Sequence, residues 1–273
     1  AIGRFVGARD DDVVIITRNT TDALNLLASA VPGPVVHLDI EHHANLLPWQ
    51  AREHRAVLAG DTLADTIDAL AAELAREPAA LLAVTGASNV TGEVLPLRVL
   101  ADVAHAHGAR IAVDAAQLAP HRRVDIAGAD IDYVAFSGHK IYAPYGAGAL
   151  IGRRDWLDAA PPHLAGGGAV REVTVTDVEW APSPARHEAG TPNVVGAVAL
   201  AAACAAIQAL PAGVAETHEQ QLIQRLEAGL RGIDGVRTLR LWADSDRIGV
   251  CAFVVDGYPA EYVAQYLSAE YGV

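Results

Sequence analysis

The sequence has no methionine, two cysteines, three phenylalanines and a shortage of positive charge: 20 basic against 33 acidic residues, a formal net charge of −13. The acidic excess argues against nucleic acid or an anionic membrane surface as a partner. Cys204 and Cys251 lie far apart in apolar surroundings, so both read as buried core thiols in a reducing compartment, the cytoplasm, rather than as a disulfide framework. Long apolar runs are missing too. The longest, Val194 to Ile207, is alanine-rich and interrupted by Gly196, which predicts a buried helix rather than a membrane span. The opening Ala1-Ile2-Gly3-Arg4-Phe5 has no apolar leader region, and a chain without methionine is expected to be a fragment of a longer one. Eleven histidines occur, but no HExxH or Cys/His ligand spacing accompanies them, so no metal site is expected. No GxGxxG or P-loop is present, which removes the usual signals of a nucleotide-binding doubly wound domain.

What is present is an alternation of short β-branched runs with helical spacing. Strands are expected at Val13–Thr17, Pro34–Leu38, Ala80–Thr85, Ile111–Val113, Tyr133–Phe136 and Ala149–Ile151. Helices are expected from Ala23, over Thr62–Arg76 (apolar at Leu63, Ile67, Leu70 and Leu74) and over Leu97–His107. This is an α/β pattern. From Val194 the composition shifts to an alanine-rich helix ending at Leu210, a Pro211-Ala212-Gly213 break and a helix through Leu230. Short strands near Val236–Leu241 and Val250–Val255 and a helix over Ala260–Tyr271 follow. A large domain over 1–207 and a smaller α+β domain over 208–273 are expected.

The centre of the sequence is the stretch from Asp114 to Lys140. Ile111-Ala112-Val113 stops at a carboxylate, and Tyr133-Val134-Ala135-Phe136 stops at Ser137-Gly138-His139-Lys140. In an open α/β sheet the carboxyl ends of neighbouring strands converge on one crevice, so Asp114 and Lys140 are expected to face one another there. A buried lysine is a carbonyl-condensing amine, and an aspartate opposite it suits the protonated nitrogen of a pyridoxal ring. A structural Asp–Lys ion pair is the plainer alternative. Thr20 or Thr21 is expected to cap a helix, where hydroxyls and free N–H groups also suit an anion. In Glu41-His42-His43 the three side chains are too close in sequence for a chelating set, whereas a histidine there can stack on a flat ring. Asn89, at a strand end, is either a turn residue or a donor into the crevice. His121, Arg122 and Arg123 read as a solvated edge, and Pro161 to Gly168 as a flexible loop.

Five ordered blocks carry a resemblance: Thr17-Arg18-Asn19-Thr20-Thr21-Asp22-Ala23, Glu41 to Trp49, Ser88-Asn89-Val90-Thr91-Gly92, Asp114-Ala115-Ala116-Gln117 with Ser137 to Lys140, and Glu188 to Asn193. Together they resemble the class V aminotransferase group of fold-type-I pyridoxal-phosphate enzymes, nearest its cysteine desulfurase and selenocysteine lyase branch. The resemblance implies a mostly parallel central sheet flanked by helices and pyridoxal 5′-phosphate as cofactor. It implies that Thr20, Thr21, Ser137 and His139 hold the phosphate, that His42 covers the ring and shuttles protons, and that Asn89 and Gln117 steady the phenolate oxygen. Asp114 would serve the ring nitrogen and Lys140 would condense with the aldehyde. Gly190-Thr191-Pro192 resembles a segment reaching the neighbouring subunit's phosphate, which makes Thr191 a ligand in trans and the protein a homodimer with shared sites.

The activity implied is cysteine desulfuration, L-cysteine to L-alanine plus an enzyme-bound persulfide, with a sulfur-acceptor protein as a further partner. Selenocysteine lyase, C–S lyase and epimerase activities, or a non-catalytic dimeric homologue, share the same residues. The family's Arg-containing segment and nucleophilic cysteine are expected beyond Val273. This chain departs from the pattern in having Asn19 where most relatives have glycine, and in lacking a histidine near Gly86.

Overall fold

Short strands whose successive side chains point to opposite faces need cover on both sides when both faces are apolar. The computed structural model, which describes residues 1–243 and 245–273, meets that demand with one seven-stranded sheet between two layers of helix. In chain order the elements are α1 (Ile2–Phe5), β1 (Val13–Thr17), α2 (Thr20–Ala30), β2 (Val35–Leu38), β3 (His54–Val57), α3 (Leu63–Arg76), β4 (Leu81–Thr85), α4 (Leu97–Ala106), β5 (Arg110–Asp114), β6 (Tyr133–Ser137) and β7 (Gly148–Gly152). Then come α5 (Arg154–Ala159), β8 (Val170–Val173), β9 (Val178–Trp180), α6 (Val194–Gln208), α7 (Val214–Arg231), β10 (Val236–Leu239), β11 (Ala252–Val255) and α8 (Ala260–Tyr271).

The sheet runs β1-β7-β6-β5-β4-β2-β3. Strands β3, β2, β4, β5 and β6 are mutually parallel, and β7 alone opposes both its neighbours, β6 and β1. Alternation along the strands sorts the core into two clusters. Val36, Leu82, Val84, Ile111, Val113, Val134 and Phe136 face α3, α4 and α6, whereas Val35, Leu81, Ala83, Ala112, Tyr133 and Ala135 face α2. Six strand ends thereby point the same way, and the loops after β1, β2, β4, β5 and β6 gather along one edge.

Several expectations change. The helix after β1 is capped by Asn19, whose Oδ1 accepts the Asp22 N–H at 2.9 Å, and not by Thr20 or Thr21. Asn19 is extended, at φ −174°. It therefore replaces glycine by capping, with no left-handed turn required. Helix α6 is only partly buried: Gly196, Leu200 and Cys204 face inward, while Val194, Val195 and Val198 are exposed. Its sequence is apolar all round, so periodicity cannot say which face is covered. Cys204 is buried but Cys251 is only half-buried. His121 and Arg122 are not a solvated edge; both bind the carboxylate of Glu219 on α7, and only Arg123 is exposed. α1, β3, α5 and the β8–β9 hairpin were not expected. β3 and the hairpin carry charged residues on short strands, and little of them is buried.

Helix α3 illustrates the local logic. Thr62 Oγ1 accepts the Asp65 N–H at 3.1 Å and the Asp65 carboxylate accepts the Thr62 N–H at 3.2 Å, a reciprocal capping box. Leu70 and Leu74, one turn apart, then enter the core.

Candidate active site

The gathered strand ends enclose a pocket of about 250 Å³. Every candidate residue from the sequence lines it, Thr191 excepted: Thr20 and Thr21 at the head of α2, His42 after β2, Asn89 after β4, Asp114 and Gln117 after β5, and Ser137, His139 and Lys140 after β6. Thr191 is exposed and outside the pocket. Its neighbour Asn193 nevertheless reaches back, donating from Nδ2 to the Gly146 carbonyl at 3.0 Å while its Oδ1 accepts the Gly196 N–H and caps α6.

One wall of the pocket is built for an anion. The Thr20 N–H donates to Ser137 Oγ at 2.9 Å, and the two hydroxyls are 2.7 Å apart, which locks the head of α2 onto the end of β6. The hydroxyls of Thr20, Thr21 and Ser137 and the positive end of an eleven-residue helix then share one corner. Gly148 makes this approach possible: a Cβ there would stand 2.7 Å from Asn19 Cα. Asp22, in the first turn of the helix, accepts from Arg18 and from His163 Nε2 at 3.0 Å. Burial raises its pKa, but these bonds outweigh burial and hold the carboxylate well below its ordinary range.

The opposite wall holds Asp114, 3% exposed, with Oδ1 accepting the Ala116 N–H at 2.9 Å. Burial pushes its carboxyl pKa upward, against the Ala116 bond and the nearby charges of Lys140 and His42. Its ionised form is therefore short of positive charge in this pocket, and a cationic N–H beside it would relieve the deficit. Lys140 is half-buried on a short 3₁₀ turn, Gly138–Ile141, rather than buried as expected. A Cβ at Gly138 would stand 2.7 Å from the Ala147 carbonyl, so only glycine lets this turn sit under β7. Lys140 is also the sole lysine of the chain, beside nineteen arginines. His42 is exposed, and its Nδ1 accepts the Ala44 N–H at 3.0 Å, which leaves Nε2 as the protonated nitrogen of the neutral ring. His139 stacks on Tyr145 with ring centroids 5.2 Å apart.

The Glu41-His42-His43 cluster divides: the histidines are exposed and Glu41 turns inward. The inward turn of Glu41 was not legible in the sequence, because one of its two partners, the Thr85 N–H, lies 44 residues away. Ser137 and Thr20 were read as separate phosphate ligands from the resemblance; their mutual bond across 117 residues was not legible.

The whole chain, residues 1–273, matches the family model described as aminotransferase class-V. It is 40% identical to a protein named probable cysteine desulfurase 2 of Mycobacterium leprae, over 97% of this chain and 67% of the relative. It is 38% identical to a protein named cysteine desulfurase of Dickeya dadantii, over all of this chain and 68% of that one. Among solved structures, the cysteine desulfurase CsdA of Escherichia coli superposes with a TM-score of 0.90 at 32% identity, covering all of this chain and 70% of its own. The chain thus spans about two thirds of the length of these relatives. On the match along its full length and on these relatives, the chain belongs to the class-V aminotransferase family.

Proposed function

We propose that this chain binds pyridoxal 5′-phosphate in the pocket at the strand ends and serves a cysteine desulfurase, converting L-cysteine to L-alanine with transfer of sulfur to a thiol. The observation that carries the reading is the pocket: the one lysine, a buried aspartate and a hydroxyl-rich helix head line a single cavity. The donor set fits the group. The α2 head with Thr20, Thr21, Ser137 and His139 matches a phosphate, Asp114 matches a protonated ring nitrogen, and Lys140 matches an aldehyde. Relatives named cysteine desulfurase at 40% and 38% identity support the substrate.

When bound, the group supplies an electron sink for bonds at the amino acid's α-carbon. The protein's own residues do the rest. The α2 head fixes the phosphate and with it the register of the ring. Asp114 holds a proton on the ring nitrogen, and that N–H offsets the charge which burial makes costly for Asp114. His42, with Nδ1 engaged by the Ala44 N–H, would cover the ring and offer Nε2–H to it. Asn89 and Gln117 donate their amides to the ring oxygen. Lys140, the amine in the pocket, would hold the aldehyde and would be the base that moves the α-proton.

The sulfur step balances as L-cysteine plus a thiol giving L-alanine plus a persulfide. We assign the acceptor thiol to neither cysteine of this chain: burial pushes the Cys204 thiol up to about 11 and raises that of Cys251, whereas a sulfur nucleophile needs an exposed thiolate. The thiol that takes the sulfur would then lie outside residues 1–273, and a sulfur-acceptor protein belongs to the same proposal as a further partner. A homodimer belongs to the same proposal, supported by exposed Thr191 next to the uncovered Val194, Val195 and Val198. So do a division into domains at 207/208 and a cytoplasmic location, the latter supported by two free thiols. No helix among the described residues is long and apolar enough to cross a membrane.

The test uses the single lysine. Pyridoxal phosphate followed by borohydride should fix one label per chain, mapped to Lys140, and no visible absorption on adding pyridoxal phosphate would overturn the cofactor. Incubation with L-cysteine and a reductant should give alanine and sulfide in equal amounts. Pyruvate in place of alanine would mean β-elimination and overturn the desulfurase assignment.

A further inference from the structure

Strand β2 leaves the sheet early. Its register with β4 ends at His37 opposite Ala83, so the Thr85 N–H has no strand beside it. Buried backbone donors require an acceptor, and Glu41 provides one: its Oε1 accepts the Thr85 N–H at 2.9 Å. Its Oε2 accepts Asn45 Nδ2 at 2.6 Å, and Asn45 Oδ1 in turn accepts the Trp49 indole N–H at 3.3 Å. All three side chains are buried. The chain between Glu41 and Asn45 is therefore a short arch pinned at both feet by one carboxyl, and His42 stands on it. The other side of Thr85 is paired with Asp114 in the β4–β5 register.

We infer that Glu41 is a positioning residue for the proposed cofactor site: its carboxyl ties the His42 arch to the end of β4, and so sets the placement of the His42 ring relative to Asp114. This rests on the reading of the pocket given above, but the clamp itself exists without any ligand. The two donors favour the ionised carboxyl. Burial opposes them, with Asp114 and Asp39 adding to it, and the group is pushed up to about 8. The charged groups facing the arch are these two aspartates, with Lys140 and His42 on the Asp114 side.

The experiment compares the full chain with Glu41→Ala, Glu41→Gln and Asn45→Ala. The circular dichroism that bound pyridoxal phosphate acquires reports the asymmetry of its surroundings. The rate of His42 modification by diethylpyrocarbonate, mapped by peptide mass, reports the arch without any cofactor. In Glu41→Ala the induced signal should fall by half or more, the pyridoxal phosphate dissociation constant should rise about tenfold, and His42 should react at least threefold faster. Glu41→Gln, which can still accept from Thr85, should restore most of the induced signal. Asn45→Ala, which releases one foot only, should move all three readouts the same way by less, and it decides the matter if Glu41→Ala does not fold. Unchanged dichroism, affinity and His42 reactivity in a variant that merely melts earlier would overturn the inference and leave Glu41 a structural residue. If the unaltered protein acquires no signal with pyridoxal phosphate, the cofactor reading fails, and the His42 rates alone uphold or overturn the clamp.

Discussion

Residues 13–152 and residues 209–273 are built on different physical terms. The first region buries its strands on both faces, so that β2, β4, β6 and β7 have no exposed residue at all. The second buries almost nothing apolar of its own: α8 has no buried residue, and the α7 side chain that is buried is the charged Glu227. It is held to the first by two buried apolar side chains, Trp242 and Ile248, which join the core on the α3–α4 side of the sheet, and by polar contacts. The Val94 N–H donates to Asp246, Ile248 to Gly92, and Leu241 to the buried carboxylate of Glu93, all within 2.9 Å. Trp242 inserts its indole and donates to the Gly60 carbonyl. Arg122 and His121 clasp Glu219, and Arg122 also donates to the Arg247 carbonyl; within the second region Arg247 and Arg240 clasp Glu227. The pocket sits on the apolar framework, while the second region is attached through a small apolar plug and a larger set of polar contacts.

The largest effect should come from the pocket without touching either framework. Lys140→Ala should abolish borohydride-stable labelling and lower turnover by at least about 10³-fold. Its melting free energy should change by less than about 1 kcal/mol, because the side chain is only half-buried. Loss of stability on that scale together with activity would blur the distinction between site and framework.

Next comes Arg247→Met, which strips one partner from a buried pair and should cost about 3 kcal/mol. Amide exchange should speed up in 209–273 and stay unchanged at Asp114 and Ser137. Exchange rising equally in both regions would show them to be one cooperative unit.

Much of the fold was legible because the strands announce themselves as short β-branched runs stopped by polar residues, and because Asp114 and Lys140 mark where two of them end. What was not legible depends on pairing. Whether Asn19, Thr20 or Thr21 caps α2 is decided by one residue's backbone angles, since all three side chains can cap. The inward turn of Glu41 depends on the β2–β4 pairing stopping two residues before β4 ends. The open face of α6 is set by α1 and the Gly138–Ile141 turn, and an all-apolar helix carries no sign of which neighbours it will have. The β8–β9 strands alternate too little, and lie too far into solvent, for their sequence to mark them.

Acidity should separate the two regions in opposite directions. Glu41 and Asp114 have raised pKa values in the fold. Their contribution is fully present below the ordinary carboxylate range and is lost as pH rises, for Glu41 through about 8. Glu227 behaves inversely: burial opposes its ionisation, but Arg240 and Arg247 hold its pKa below the ordinary value. Its contribution is present above that value and is lost as pH falls through the lowered one. Amide exchange of the ligand-free protein should therefore quicken first near the pocket towards pH 9, and first in 209–273 towards pH 4. A common pH profile for both would contradict the division. The smallest effect, a control for both regions, is Thr62→Ala: breaking the capping box should cost about 1 kcal/mol and leave labelling of Lys140 intact, as melting curves and peptide maps will show.

The lone antiparallel strand β7 carries a consequence for the order in which the molecule is made. Because β7 lies between β1 and β6, β1 cannot join the sheet until residue 152 is available. The bond from Thr20 to Ser137 spans 117 residues and waits on the same insertion. Closing so long a loop is among the slow steps of folding. During synthesis the parallel strands β2, β4, β5 and β6 can assemble while β1 and α2 remain outside, so the anion-binding corner is the last part of the pocket to form.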